Sequence, residues 1–251
     1  MTTKLEGKAA LITGSSKGLG KAMALALAAE GARIALVSRD RAKLEEVAAE
    51  IHAAGGQAQV FQADVADEAQ VQRLEREVAD AFGHIDILIN NAGVNVRKAI
   101  TDFTLDEWNL VMSTNVTSVF LMCRSFVPHL RGRGYGRIIN MTSIMSWISM
   151  PHRTAYSASK TALLGVTRAL ALELAPDAIT VNAISPGPFG TEMNRSLMEN
   201  PEVYAQFVAN IPLGRWGEVE EIGQLAVYLC SPAAGFITGT DIVIDGGWIA
   251  R

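Results

Sequence analysis

Cysteine is scarce: Cys123 and Cys230 are the only two in 251 residues, and neither has a Cys or His neighbour at metal-ligand spacing. Both read as small core residues, not as a disulfide or a nucleophile. Histidine is equally thin. His52, His84, His129 and His152 form no HxxxH pair, so no metal is expected. A basic excess is also missing: 22 Lys and Arg against 26 Asp and Glu give a formal net charge of −4 and a pI of about 5.6. Binding to nucleic acid needs a basic face, so no nucleic-acid partner is expected. Charged residues or Gly/Pro interrupt each apolar run before it reaches the roughly 18–20 residues of a membrane helix. The start, Met1 to Lys8, lacks the apolar centre of a signal peptide. These absences predict a cytoplasmic protein with no membrane partner.

What is abundant is apolar surface. Hydrophobic residues make up 49% and charged residues 19%, enough for a large two-sided core. Short apolar runs at Lys8–Thr13, Arg33–Ser38, Ala58–Gln62, Ile85–Asn90, Gly136–Met141, Ile179–Ile184 and Asp241–Ile244 alternate with longer amphipathic stretches. The alternation predicts an α/β fold: a doubly wound, parallel, seven-stranded sheet, Rossmann-like, with residues 1–251 in a single domain. Lys21–Ala29 and Lys43–Ala54 have helical composition, with Gly31 and Gly55-Gly56 as stops. The long departure from Pro186 to about Pro212 reads as a substrate lid, at about residues 187–212.

Thr13-Gly14-Ser15-Ser16-Lys17-Gly18-Leu19-Gly20 follows the first strand and opens the first helix. There the glycines let backbone approach a pyrophosphate, which free N–H groups at the helix N-terminus then meet. Gly14, Ser16, Lys17, Gly18, Leu19 and Gly20 are therefore candidate cofactor contacts. The second strand ends Val37-Ser38-Arg39. No carboxylate stands at Ser38 to repel a 2′-phosphate, and Arg39 offers a planar fork to it with Lys17 nearby. NADP(H) is the preferred cofactor, with NAD(H) usable if Arg39 only stacks on adenine or faces solvent.

Tyr156 and Lys160 are four apart near the start of a predicted helix, so they share a face. That spacing alone is common by chance. A phenol with a pKa near 10 is a poor base at neutral pH, and a close ammonium together with a positive nicotinamide ring would favour the phenolate.

With Asn90-Asn91-Ala92-Gly93, Asn115, Ser143 thirteen residues before Tyr156, Pro186-Gly187 with Thr191, and Asp245-Gly246-Gly247, the chain resembles the short-chain dehydrogenase/reductase family over nearly its whole length. The resemblance implies hydride transfer between NADP(H) and a ketone or secondary alcohol, with Asn115, Ser143, Tyr156 and Lys160 as the catalytic set. Tyr156 moves the proton, Ser143 holds the substrate oxygen, Lys160 also bonds the nicotinamide ribose, and Asn115 supports a water that links Lys160 to solvent. It further implies cofactor contacts from Asp64, Val65, Asn91, Ala92, Gly93, Pro186, Gly187 and Thr191, and a homotetramer built on Leu105–Leu130, Tyr156–Leu174 and the C-terminal segment. By the resemblance Asp64 faces the adenine, although an Asp after a strand is also an ordinary N-cap for the next helix.

Substrate recognition sits on variable loops. Met145–Arg153, Val94–Arg97 and Phe189–Met198, the last including Met193, are its candidate segments. Arg97, Trp147, His152 and Ser143 are the substrate candidates. The expected substrate is a small polyol, sugar acid or other hydroxy/oxo compound, as in the gluconate 5-dehydrogenase branch. A 3-oxoacyl-[acyl-carrier-protein] reductase is the alternative. Arginines expected of that branch align with Gly134 and Asp177, although Arg131 and Arg133 lie close by. A non-catalytic NADP(H)-binding regulatory protein, and an epimerase or dehydratase on a nucleotide sugar, are readings of other classes.

Overall fold

The computed structural model describes residues 4–250, except for the side chains of Met193, Arg195 and Ser196. Seven parallel strands form one sheet: β1 (Ala9–Thr13), β2 (Arg33–Ser38), β3 (Gln57–Gln62), β4 (Ile87–Asn90), β5 (Gly136–Met141), β6 (Ile179–Pro186) and β7 (Asp241–Ile244). Their spatial order is β3-β2-β1-β4-β5-β6-β7. The sequence pattern finds all seven, and the bounds move by two residues at most. β1, β4, β5 and β6 are buried along their whole length, as a strand covered on both faces must be. β3, at the edge, exposes Gln57, Gln59 and Gln62.

Nine α-helices run between the strands in the described residues: α1 (Gly18–Ala29), α2 (Arg41–Ala53), α3 (Glu68–Phe82), α4 (Leu105–Met112), α5 (Ser118–Leu130), α6 (Thr154–Leu174), α7 (Arg195–Met198), α8 (Pro201–Val208) and α9 (Val219–Cys230). Local chemistry fixes their ends. Asp67 accepts from Gln70 N to start α3, and Gly83 at φ +75° ends it. Val71, Leu74, Val78 and Phe82 then recur on one buried face of that helix. Thr104 and Glu107 make a reciprocal capping box at α4. The N-cap of α3 is thus Asp67, not Asp64.

Two apolar cores result, one on each side of the sheet. Met23, Leu27, Leu44, Ile51, Ile222 and Leu229 carry α1, α2 and α9 on one face. Val71, Leu74, Leu121, Phe126, Leu163 and Leu174 carry α3, α5 and α6 on the other. Cys230 lies in the first and Cys123 in the second, and burial pushes both thiols up to about 12, consistent with unreactive core residues.

α4 and α5 join through a π-turn at Ser113–Thr117 into one rod, Leu105–Leu130. By length and composition that rod could cross a membrane, which corrects the expectation that every apolar run is too interrupted. Half of its apolar window is buried, and it packs on α3 and α6. That is the position of a core helix.

The chain runs β1, β2, β3 outward on one side and returns to β4 on the other side of β1. Loops leaving β1 and β4 therefore diverge and open a crevice at the strand C-termini, the place where such sheets bind nucleotides.

Candidate active site

That crevice is a cleft of about 490 Å³. Its β1 side is the glycine-rich turn. Gly14 and Gly18 sit at φ +64° and +56°, in the left-handed region that favours glycine. A Cβ on Gly20 would stand 2.3 Å from Gly14 O and 2.4 Å from Asn91 Nδ2, so backbone packs on backbone there. Asn91 Nδ2 donates to Thr13 O at 2.9 Å and to Gly14 O at 3.0 Å, and Thr13 Oγ1 accepts from Asn91 N and Ala92 N. The turns after β1 and β4 are thereby fastened together. The first turn of α1, whose N–H groups have no partner within the helix, is left facing the cleft. This cradle fits a dinucleotide pyrophosphate: Gly14, Ser16, Lys17, Gly18, Leu19 and Gly20 all line it.

The remaining cofactor candidates line the same cleft. Arg39, Asp64 and Val65 stand at the β2 and β3 end, Asn91, Ala92 and Gly93 after β4, and Pro186, Gly187 and Thr191 after β6. Arg39 is exposed, with Nη1 3.7 Å from Asp64 Oδ2. Asp64 also accepts from Ala66 N at 3.0 Å. Lys17 is not idle: its Nζ pairs with Glu192 Oε2 at 2.6 Å, across to the segment after β6.

At the β5 end Ser143, Tyr156 and Lys160 line the floor. Ser143 follows β5 and accepts from Met145 N at 3.2 Å. Tyr156 and Lys160 come from the first turns of α6. Lys160 is 4% exposed; its Nζ donates to Met141 O at 2.6 Å and lies 5.8 Å from the Tyr156 ring centre. Burial pulls this ammonium down to about 8, so it stays largely protonated at neutral pH.

The phenol is tuned differently from the sequence expectation. Burial holds Tyr156 above its ordinary value, and the groups that pull it back are the Ser143 hydroxyl, then Arg153 and Arg97. Lys160 gives one of its donors to Met141 O and lies beside the ring. The cations whose charge lowers the phenol are the two arginines.

Asn115 does not line the cleft. It is 1% exposed and sits on the π-turn, an insertion that turns its side chain out of the helical register. Its Oδ1 accepts from Val94 N at 2.8 Å, and its Nδ2 donates to Val94 O at 3.0 Å and Ser159 Oγ at 2.9 Å. Both ends of the amide pin the loop after β4 to α6.

Of the substrate candidates, Arg97 lines the cleft with Met145 and Met150. Trp147 and His152 stay outside it. Trp147 is 55% exposed and donates to Asp241 Oδ2 at 2.7 Å; His152 is exposed at φ +66°. The connection between β5 and α6, Thr142 to Arg153, sends both outward. The side chain of Met193 lies outside the described residues. Asn95, inside the candidate segment Val94–Arg97, lines the cleft too; sequence reasoning missed Phe207 and Trp248, which also line it. Trp248 is 92 residues after Tyr156, and no local pattern marks it. Phe207 packs against Trp216 and Trp248, ring centres 5.5 Å apart in each case, which seats α8 on the C-terminal segment.

A parallel sheet with a nucleotide cradle at its switch point and a Ser, Tyr and Lys at one end defines a dinucleotide-dependent oxidoreductase. The family model described as enoyl-(acyl carrier protein) reductase matches residues 14–249, and the chain belongs to the short-chain dehydrogenase/reductase family. It is 39% identical to a 3-oxoacyl-[acyl-carrier-protein] reductase of Synechocystis over 98% of this chain and 99% of that one. Identity to a gluconate 5-dehydrogenase of Gluconobacter oxydans is 35%, over 97% and 95%. A Beutenbergia cavernae crystal structure, assigned provisionally as an NAD(P)-dependent gluconate 5-dehydrogenase with NADP at low occupancy, superposes with a TM-score of 0.95 at 36% identity, covering all of both chains. The protein is an NAD(P)-dependent oxidoreductase acting on CH–OH groups.

Proposed function

We propose that the enzyme interconverts a ketone and a secondary alcohol on a small hydroxy/oxo compound, with NADP(H) preferred and Tyr156 as the proton-transfer residue. The observation that carries this is one cleft holding both the glycine-rich cradle and the Ser143, Tyr156, Lys160 floor. A bound nicotinamide supplies or accepts the hydride. Tyr156 Oη gives its proton to the carbonyl oxygen in reduction and takes it from the hydroxyl in oxidation. Ser143 donates to the same oxygen as charge develops there. Lys160 has two N–H donors beyond the one given to Met141 O, and these hold the nicotinamide ribose. Asn115 acts through Val94, keeping the loop in place.

Arg39 supports the NADP(H) preference, since its guanidinium is exposed at the end of β2 where a 2′-phosphate would lie. Arg39→Ala should lower the kcat/KM ratio of NADPH to NADH by about 10–100-fold, the range of a lost charge-assisted fork. An unchanged ratio in absorbance assays would remove Arg39 from the cofactor site.

A panel of ketones, sugar acids and acyl thioesters followed at the NAD(P)H absorbance tests the reaction. Efficient turnover of acyl-carrier-protein thioesters, with none of sugar acids or simple ketones, would favour the second reading, which the Synechocystis relative supports. Against it, the two nearby arginines are engaged: Arg131 with Asp177 at 2.9 Å and Arg133 with buried Asp86 at 3.5 Å.

The enzyme works in the cytoplasm as a homotetramer, with residues 187–212 as its lid. Leu110, Phe120 and Leu172, on α4, α5 and α6, are 46%, 55% and 81% exposed, an apolar surface suited to subunit contact. Light scattering should give four times 26.9 kDa; a mass of one chain would exclude the tetramer.

A further inference from the structure

The substrate end of the cleft holds two guanidiniums and no acid to match them. Arg153, just before α6, and Arg97, in the loop after β4, both line the cleft beside Tyr156 and Ser143. Arg153 Nη1 is buried without a hydrogen-bond partner. Among the described residues the Arg97 side chain reaches an amide alone, Asn194 Oδ1, at 3.5 Å. Among the described residues no carboxylate pairs with either, in contrast to Arg131, Arg133 and Arg215, which each meet one. Burial pushes both guanidiniums below their ordinary value, and Arg97 pushes Arg153 further. Like charges placed together and partly dried are costly unless an anion arrives.

We propose that Arg97 and Arg153 form a carboxylate-binding subsite, so that the substrate is a hydroxy or oxo acid held by its carboxylate at both guanidiniums beside Tyr156. This deepens the reading above and rests on it. The cofactor phosphates are not the missing anion. They have their own site at the β1 and β2 end, the glycine-rich cradle with Arg39, and β2 is three strand spacings from β5, about 14 Å. A planar fork grips a carboxylate through paired N–H donors. Asn95 Oδ1, also buried without a partner on the same wall, is an acceptor for a hydroxyl. A polyhydroxy acid satisfies both orphans at once; a neutral ketone satisfies neither guanidinium.

The test compares 5-keto-D-gluconate with D-fructose, which has the same carbon count and no carboxylate, in wild type, Arg153→Gln, Arg153→Lys and Arg97→Gln. Turnover with NADPH is paired with calorimetric binding of D-gluconate and of sorbitol to the NADP-loaded protein. Wild type should favour the acid. Arg153→Gln should lower the acid-to-neutral ratio of kcat/KM by about 10–100-fold, mainly through KM, with Arg97→Gln lowering it less and Arg153→Lys recovering part of it. Equal handling of acid and neutral compounds by wild type, or equal losses of both in Arg153→Gln, would overturn the subsite and leave the oxidoreductase reading intact. Gluconate binding that Arg153→Gln abolishes, without turnover of any compound, would support the subsite while sinking the proposed reaction. Absence of both binding and turnover of the acid would overturn the subsite.

Discussion

Tyr156→Phe should lower turnover by about 10²–10⁴-fold, the usual worth of a positioned general acid or base, while NADPH still binds. The ring stays and only the hydroxyl goes, so the α6 packing and the cradle are untouched. The wild-type pH profile carries the same signature. Oxidation needs the phenolate and reduction the phenol; oxidation should therefore quicken and reduction slow as pH rises through the phenol's ionisation. Burial holds that ionisation high, and Ser143, Arg153 and Arg97 draw it back. In the Phe variant the residual rate should lose this pH dependence. Full activity with an unaltered profile, measured by NADPH absorbance from pH 7 to 11, would assign the proton to another group.

Lys160→Met should act in opposite directions on activity and stability. Loss of the ammonium removes the ribose donor and should cost roughly 100-fold or more in kcat/KM. Stability should rise. Lys160 is pulled from 10.5 to about 8 by burial alone, so between those values the unfolded chain holds a proton that the folded chain has released. The contribution of this residue to stability therefore climbs with pH across that window and is at its lowest below about 8. Its full cost there is up to about 3 kcal/mol, partly offset in the exchange because Met141 O loses its 2.6 Å donor. A net gain of about 1–2 kcal/mol would lift the Tm of the cofactor-free protein by roughly 2–8 °C at pH 7, and the difference should shrink at pH 10. Calorimetry showing a lower Tm at pH 7 would mean that the bond to Met141 outweighs the burial of charge.

The buried strands and the glycine-rich turn were the most legible elements in the sequence. Fully buried strands such as Ile34-Ala-Leu-Val37 and Ile87-Leu-Ile-Asn90 announce themselves by composition, and the glycine-rich turn announces itself by following one of them. Tyr156 and Lys160 were visible through ordered company with Ser143, not through spacing alone. Trp147 and His152 were placed toward the substrate because nearness in sequence to Ser143 and Tyr156 says nothing about which way a side chain of the connecting loop points. Arg153 was visible only as one of several polar residues in that turn, and what singles it out, a buried Nη1 without a partner, is a property of the surroundings.

The division has a physical basis. Backbone hydrogen bonding and the burial of apolar faces act locally and periodically, so the chain's own pattern determined the parallel sheet, the two helix layers, the cradle and the family to which the protein belongs. Electrostatic tuning depends on distance and dielectric, which arise only when β5, α6 and the loop after β4 converge. Tertiary structure alone decided that Lys160 turns to Met141, that Asn115 clamps Val94, and that the charges lowering the Tyr156 phenol are Arg153 and Arg97.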